Sequence, residues 1–149
     1  MDTTPPGGAL GEREPIPCVF ERALLARHAV CELAVAHQIA ERETFACTHA
    51  PAREECRQLA GLLREKSAFA LHLADTQRIL HHAMIMKLQC GGLDGMKAVF
   101  DPLALAPNVR RLLRLARERH GALEDLPFSE IVKGIAAWKP RRRSQGGPR

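Results

Sequence analysis

The sequence predicts an all-α protein, a compact bundle of five to six helices between a disordered N-terminal segment and a flexible basic tail. Three observations predict it. Ala, Leu, Arg and Glu, good helix formers, dominate a chain that is 46% hydrophobic and 4% aromatic, with no Tyr. Apolar residues recur at i, i+3, i+4 and i+7. Gly and Pro fall where one such stretch gives way to the next. At 149 residues the chain suits one domain with a single core.

Residues 1–17 hold four prolines and three glycines and are expected to be disordered. From Cys18 to Ala46 there is no Gly or Pro, and helix formers are nearly unbroken. This stretch predicts one long helix, or two with a bend near "RHAVC", where Val30 and Cys31 lower the propensity. Thr48 then reads as an N-cap with Pro51 in the first turn. The helix that follows carries Leu59, Leu62, Leu63, Lys66, Phe69, Ala70 and Leu73 on its stripe.

Asp75 or Thr76 is expected to cap a third helix, "TQRILHHAMIMKLQ", closed by Gly91 and Gly92 as C-cap glycines. Pro107 and Asn108 start "NVRRLLRLARERH", which Gly121 ends. Ser129 caps a last short helix to about Trp138, and Pro140 stops it. Residues 18–138 form the predicted helical domain and 139–149 the tail.

The net charge of +5 sits in that tail. It holds five of the 22 basic residues and none of the 17 acidic ones, so the rest of the chain carries 17 of each. No run of 18 apolar residues exists to span a membrane. The N-terminus has no signal-peptide pattern. The expected location is the cytoplasm, where thiols stay reduced and five cysteines do not form a disulfide framework.

Four of those cysteines fall within 39 residues, spaced C-x12-C-x15-C-x8-C. Thiolates bind zinc tetrahedrally and hold iron–sulfur clusters, and both need about four ligands meeting at one point. No C-x2-C pair is present, so neither a zinc ribbon nor a ferredoxin pattern applies. The other reading is core packing, since free cysteine is among the most buried residue types. Cys56 lies three residues before Leu59 on the apolar stripe, and Cys31 seven after Leu24.

Geometry separates the two readings. Were residues 18–46 one straight helix, Cys18 and Cys47 would lie about 40 Å apart, and no single site could hold both. If the segment folds back near Cys31, then Cys18, Cys47 and Cys56 share one end of the bundle, with His49 in the turn between them. Cys31 is the hardest to include. The expected ligands are therefore Cys18, Cys47 and Cys56, with Cys31 or His49 as the fourth. An iron–sulfur cluster is preferred to zinc, because the ligands are spread over helix ends rather than knuckles.

The strings "CVFERALLAR", "AERE", "LLREK" and "KLQCGGLDG", with the "LPFSEIV…RRR" ending, resemble small cysteine-containing helical proteins of proteobacteria. The likeness covers roughly residues 18–143. It implies cysteines near the positions of Cys18, Cys31, Cys47 and Cys56 in a shared ligand role, and no established activity.

Other groups support less. Cys90, before Gly91-Gly92, is expected at an exposed helix end. His82 and Met86 share a helix face and suit copper, but a methionine-rich core stripe flanked by solvated histidines is favoured. His28 and Cys31 form an i, i+3 pair, and His37 with Glu41 a surface pair. "CGGLDG" follows no predicted strand, so it does not read as a phosphate loop. No serine lies in a catalytic pattern, which leaves an enzyme with little support.

Arg110, Arg114 and Arg117 line one helix face and, with Arg141, Arg142 and Arg143, suggest a surface for polyanions. The sequence thus predicts a cysteine-ligated metal protein acting in electron transfer, redox sensing or assembly. The alternative is a metal-free helical adaptor binding a protein, or nucleic acid through its basic region.

Overall fold

The computed structural model describes residues 16–68 and 81–140. Helix dominates, but the first third of the domain is a small antiparallel sheet, so the fold is mixed α/β and not the expected all-α bundle. The correction falls within residues 18–47. After a two-residue strand, β1 (Ile16–Pro17), the helix expected from Cys18 lasts only five residues, α1 (Glu21–Leu25). Strands β2 (Ala34–Ile39) and β3 (Arg42–Cys47) follow as a hairpin. The sheet order is β1-β3-β2.

Two positions with positive φ reverse the chain without glycine. Arg27 has φ 60° and ends the turn after α1. Ala40 has φ 57° and sits in the two-residue loop between Ile39 and Arg42, which face each other across the hairpin. An L side chain in this region costs about 1 kcal/mol. Ala40→Gly is therefore expected to raise stability by up to about 1 kcal/mol, read as a higher urea midpoint at unchanged m-value.

The remaining elements are helices: α2 (Ala50–Ser67), α3 (His82–Met86), α4 (Gly92–Phe100), α5 (Val109–His120) and α6 (Phe128–Ala137). The expected N-cap Thr48 is displaced by one residue. His49 caps α2, its Nδ1 accepting from the Ala52 N–H at 3.1 Å, and Thr48 instead donates its hydroxyl to the Leu33 carbonyl. Pro51 lies in the first turn as expected. Helix α5 matches its sequence signals, with Asn108 accepting from the Arg111 N–H and Gly121 ending it at φ 82°. The last helix starts one residue before Ser129, with Pro127 in the cap position. Phe69, Ala70, Leu73 and the predicted caps Asp75 and Thr76 lie outside the described residues.

Gly91 and Gly92 do not end a helix. Residues Lys87–Gly91 form one π-helical turn that joins α3 to α4 without a break. The reason is close packing: Gly91, Gly95 and Gly134 let the chain at α4 touch the backbone of α6. The core is built around this contact and includes Phe20, Leu59, Leu63, Leu93, Met96, Leu112, Leu113, Ile131 and Ile135, all fully buried or nearly so.

The π-helical turn also anchors the segment between β1 and α1. It turns Gln89 toward α1, where its Oε1 accepts from the Ala23 N–H and its Nε2 donates to the Val19 carbonyl, both at 3.1 Å. Such turns are rare and appear frequently at functional sites. Here the re-aimed amide fixes the segment that starts at Cys18.

Candidate metal centre

The fold-back that a shared site requires is supplied by the hairpin rather than by a bent helix. Cys47 ends β3, opposite Ile16 of β1 and Ala34 of β2. Cys18 directly follows β1, and its N–H donates to the Phe45 carbonyl at 3.1 Å. Cys56 lies in the second turn of α2, between Ala52 and Leu59 on the inward face. These three sit at one end of the sheet, as the spacing argument expects.

Cys31, the hardest to include from sequence, is brought in as well. Val30 forms a parallel bridge with Asn108: its N–H donates to the Pro107 carbonyl at 2.9 Å, and its carbonyl accepts from Val109 at 2.8 Å. This places Cys31 beside the start of α5. All four thiols line one small cavity of about 20 Å³, with Val19, Leu33, Ala34, Ala52 and Val109 as apolar wall. Arg53 and Arg110 complete the lining.

The thiols are free and half-buried. Burial pushes Cys56 up to about 12 from an ordinary 9.0, with Cys31, Cys18 and Cys47 adding like charge when ionised. Burial likewise pushes Cys18 up to about 11, against the Phe20 N–H that lowers it. Cys31 is raised by burial and eased by N–H groups of Leu33 and Arg110. Ionised sulfur at this site thus needs a compensating cation, while backbone N–H groups stand ready to hold part of its charge. The donor set suits a soft, thiolate-bound centre. Among the described residues, however, no group of three or more His, Cys, Asp or Glu side chains is drawn closely enough together to hold a metal ion.

A pH dependence follows for the metal-free protein. A thiol that titrates near 9 when unfolded and higher when folded favours folding while it stays protonated. That contribution is whole below about pH 9 and fades as pH rises through the folded values of about 11 and 12. Thermal melts at stepped pH should therefore fall from about pH 9 upward. In Cys18→Ala/Cys56→Ala protein the fall should be smaller.

The surroundings are held by ion pairs. Glu55, next to Cys56, takes Arg110 at 3.0 Å and Arg117 at 3.4 Å, tying α2 to α5. Arg53 donates its Nε to the Pro17 carbonyl at 2.6 Å, tying α2 to β1. Two of the three arginines expected to face a polyanion are thus paired with Glu55. Arg114 is exposed on the same helix, and Arg141, Arg142 and Arg143 lie outside the described residues.

His49 does not line the cavity. Its Nδ1 caps α2, and its carbonyl accepts from the Cys47 thiol at 3.3 Å. His28 does not pair with Cys31 along a helix. Its Nε2 meets Asp94 at 2.8 Å, and its ring stands edge-on to Trp138. Cys90 is fully buried in the core rather than exposed. His82 takes a guanidinium N–H of Arg22 at its Nδ1, which occupies the ring's acceptor nitrogen. His37 lies in β2 and Glu41 in the hairpin loop. The signals that sequence reading missed are Gln89, Glu55 and the Val30–Asn108 bridge, none of which has a local pattern.

Among the described residues no helix is long and apolar enough to cross a membrane. No protein-family model, curated protein or solved structure matches this chain.

Proposed function

We propose that the chain binds an iron–sulfur cluster through Cys18, Cys31, Cys47 and Cys56 and serves electron transfer, redox sensing or cluster assembly in a reducing, cytosolic compartment. The observation that carries this reading is the convergence of four thiols, from four separate segments of chain, on one cavity. Core packing alone does not call for it, since cysteines dispersed as space-fillers have no reason to face each other. The lack of C-x2-C pairs sets aside zinc-ribbon and ferredoxin patterns alike, so iron and sulfide against zinc is decided by the metal content measured below.

A bound cluster supplies one-electron chemistry. The chain's own groups set its environment: N–H groups of Phe20, Leu33 and Arg110 point at sulfur, and the apolar wall limits water. Hydrogen bonds, net charge and solvent exposure are the levers that tune a cluster's potential.

The test is iron, acid-labile sulfide and zinc per chain in protein purified without oxygen, with visible absorption and electron paramagnetic resonance. Iron and sulfide together, with a brown colour lost in air, support the reading. Zinc without sulfide keeps the site and changes its metal. Folded protein that holds neither, even when iron and sulfide are supplied, removes the site.

A further inference from the structure

Among the described residues the sheet has two edges of different character. β1 is two residues long and carries Pro17, whose carbonyl is already taken by Arg53. Short length and proline are both devices that keep an edge from pairing. β2 has neither. Its six residues, "AVAHQI", include no Lys, Arg, Asp, Glu or Pro. Val35 and Ile39 are 44% and 52% exposed.

The hairpin's register fixes which backbone groups of β2 face outward. The Thr48 N–H donates to the Leu33 carbonyl at 2.9 Å, and Val35, His37 and Ile39 lie opposite Ala46, Thr44 and Arg42. In an antiparallel pair alternate residues carry the hydrogen bonds. Leu33, Val35, His37 and Ile39 therefore bond inward to β3, while Ala36 and Gln38 turn their N–H and C=O groups outward.

The geometry points to this edge as a homodimer interface, in which β2 pairs antiparallel with β2 of a second copy about a two-fold axis at His37. In this register Ala36 faces Gln38 of the second copy, and these outward-turned residues exchange backbone hydrogen bonds. The same register sets Val35 opposite Ile39 of the second copy, twice by symmetry, in the wider-spaced sites where side chains approach most closely. Shifting the pairing to centre on Ala36 keeps the hydrogen bonds but sets Val35 against histidine. A register centred on Val35 would need the Ala34 N–H, which already donates to the Cys31 carbonyl at 3.1 Å. Of these three registers the His37-centred one alone satisfies the backbone and matches the apolar side chains together. That self-complementarity is what favours a second copy over an unrelated strand. The inference does not depend on what the cysteines bind.

The experiment is sedimentation of the full chain across a micromolar-to-millimolar concentration series, for the parent and for Val35→Lys. The parent should associate to a dimer. Val35→Lys should weaken the dimer by roughly tenfold or more, because a charge replaces one partner of each of two apolar pairs. Its far-UV circular dichroism and melting temperature at dilute, monomeric concentration should match the parent's. Two cysteine variants test the register. His37→Cys should form an intermolecular disulfide under mild oxidant above the parent's background, since paired residues in wider-spaced sites stand about 4.5 Å apart at Cα. Gln38→Cys should cross-link more slowly, because it faces Ala36 rather than itself. A parent monomeric throughout, a Val35→Lys dimer as tight as the parent's, or equal cross-linking of the two cysteine variants would overturn the proposal.

Discussion

Gly95→Ala is expected to destabilise the fold by about 3 kcal/mol or more, even though alanine is the better helix former. A Cβ built on Gly95 meets the Ile131 carbonyl oxygen in α6, well inside contact distance. It also lies 2.9 and 3.0 Å from the Ile131 C and Cα atoms. These are backbone atoms, so no rotamer change relieves them. The two helices must separate, and the shift spreads to Leu93, Met96 and Ile135, which pack around the seam. Gly134→Ala should behave alike, since its Cβ falls 2.6 Å from both the Gly91 oxygen and the Gly95 nitrogen. The control is Gly61→Ala in α2, where nothing lies within 4 Å of the new methyl. There the helix propensity acts alone and should stabilise by about 0.5–1 kcal/mol. Urea melts of the three variants check both sign and size. If Gly95→Ala and Gly61→Ala shift the midpoint in the same direction, the close approach of α4 to α6 is wrong.

Cys56→Ser is expected to lose most or all bound iron and sulfide, with a drop in melting temperature well beyond that of a packing defect. Were Cys56 a core thiol only, replacement would cost roughly 1 kcal/mol and leave metal content alone. As a ligand it also carries binding free energy that is part of folding free energy. Cys18→Ser, Cys31→Ser and Cys47→Ser should match it, although these residues come from different segments of chain. Cys90→Ala serves as control, because Cys90 is fully buried at the π-helical turn and lies outside the cavity. It should lower stability and keep the metal. Retention of parental metal in all four serine variants would remove the cysteines from the site. Equal loss in Cys90→Ala would mean that metal content merely follows stability.

Parts of this architecture were legible in the sequence because the signals were local. Asn108, Gly121 and the stripe of Leu112, Leu113 and Ala116 define α5 without reference to any other element. Pro51 and the run from Leu59 to Leu63 do the same for α2. The hairpin gave no such signal. Ala34 to Cys47 is rich in Ala and Glu, its turn has neither Gly nor Asn, and its edge strand is largely exposed, so polar and apolar residues do not alternate. Local propensity favoured helix, and pairing with β1 and packing on α1 overrode it. The gathering of Cys18, Cys47 and Cys56 followed from chain length and a required reversal, and held although the reversal is a strand pair rather than a helix bend.

By itself, then, the sequence determined helices α5 and α6, the tail's charge, and the need for a fold-back before Cys18 and Cys47 can meet. Each depends on residues within a turn or two of one another, or on chain length alone. Only the tertiary structure decided that Cys31 joins them, through a bridge between Val30 and Asn108. It also decided that Gln89 pins the Cys18 segment and that Gly91 and Gly95 serve a helix seam rather than a helix end. The physical reason is common to all three. Each is a contact between residues dozens of positions apart, whose energy depends on what stands opposite, and no local periodicity encodes that.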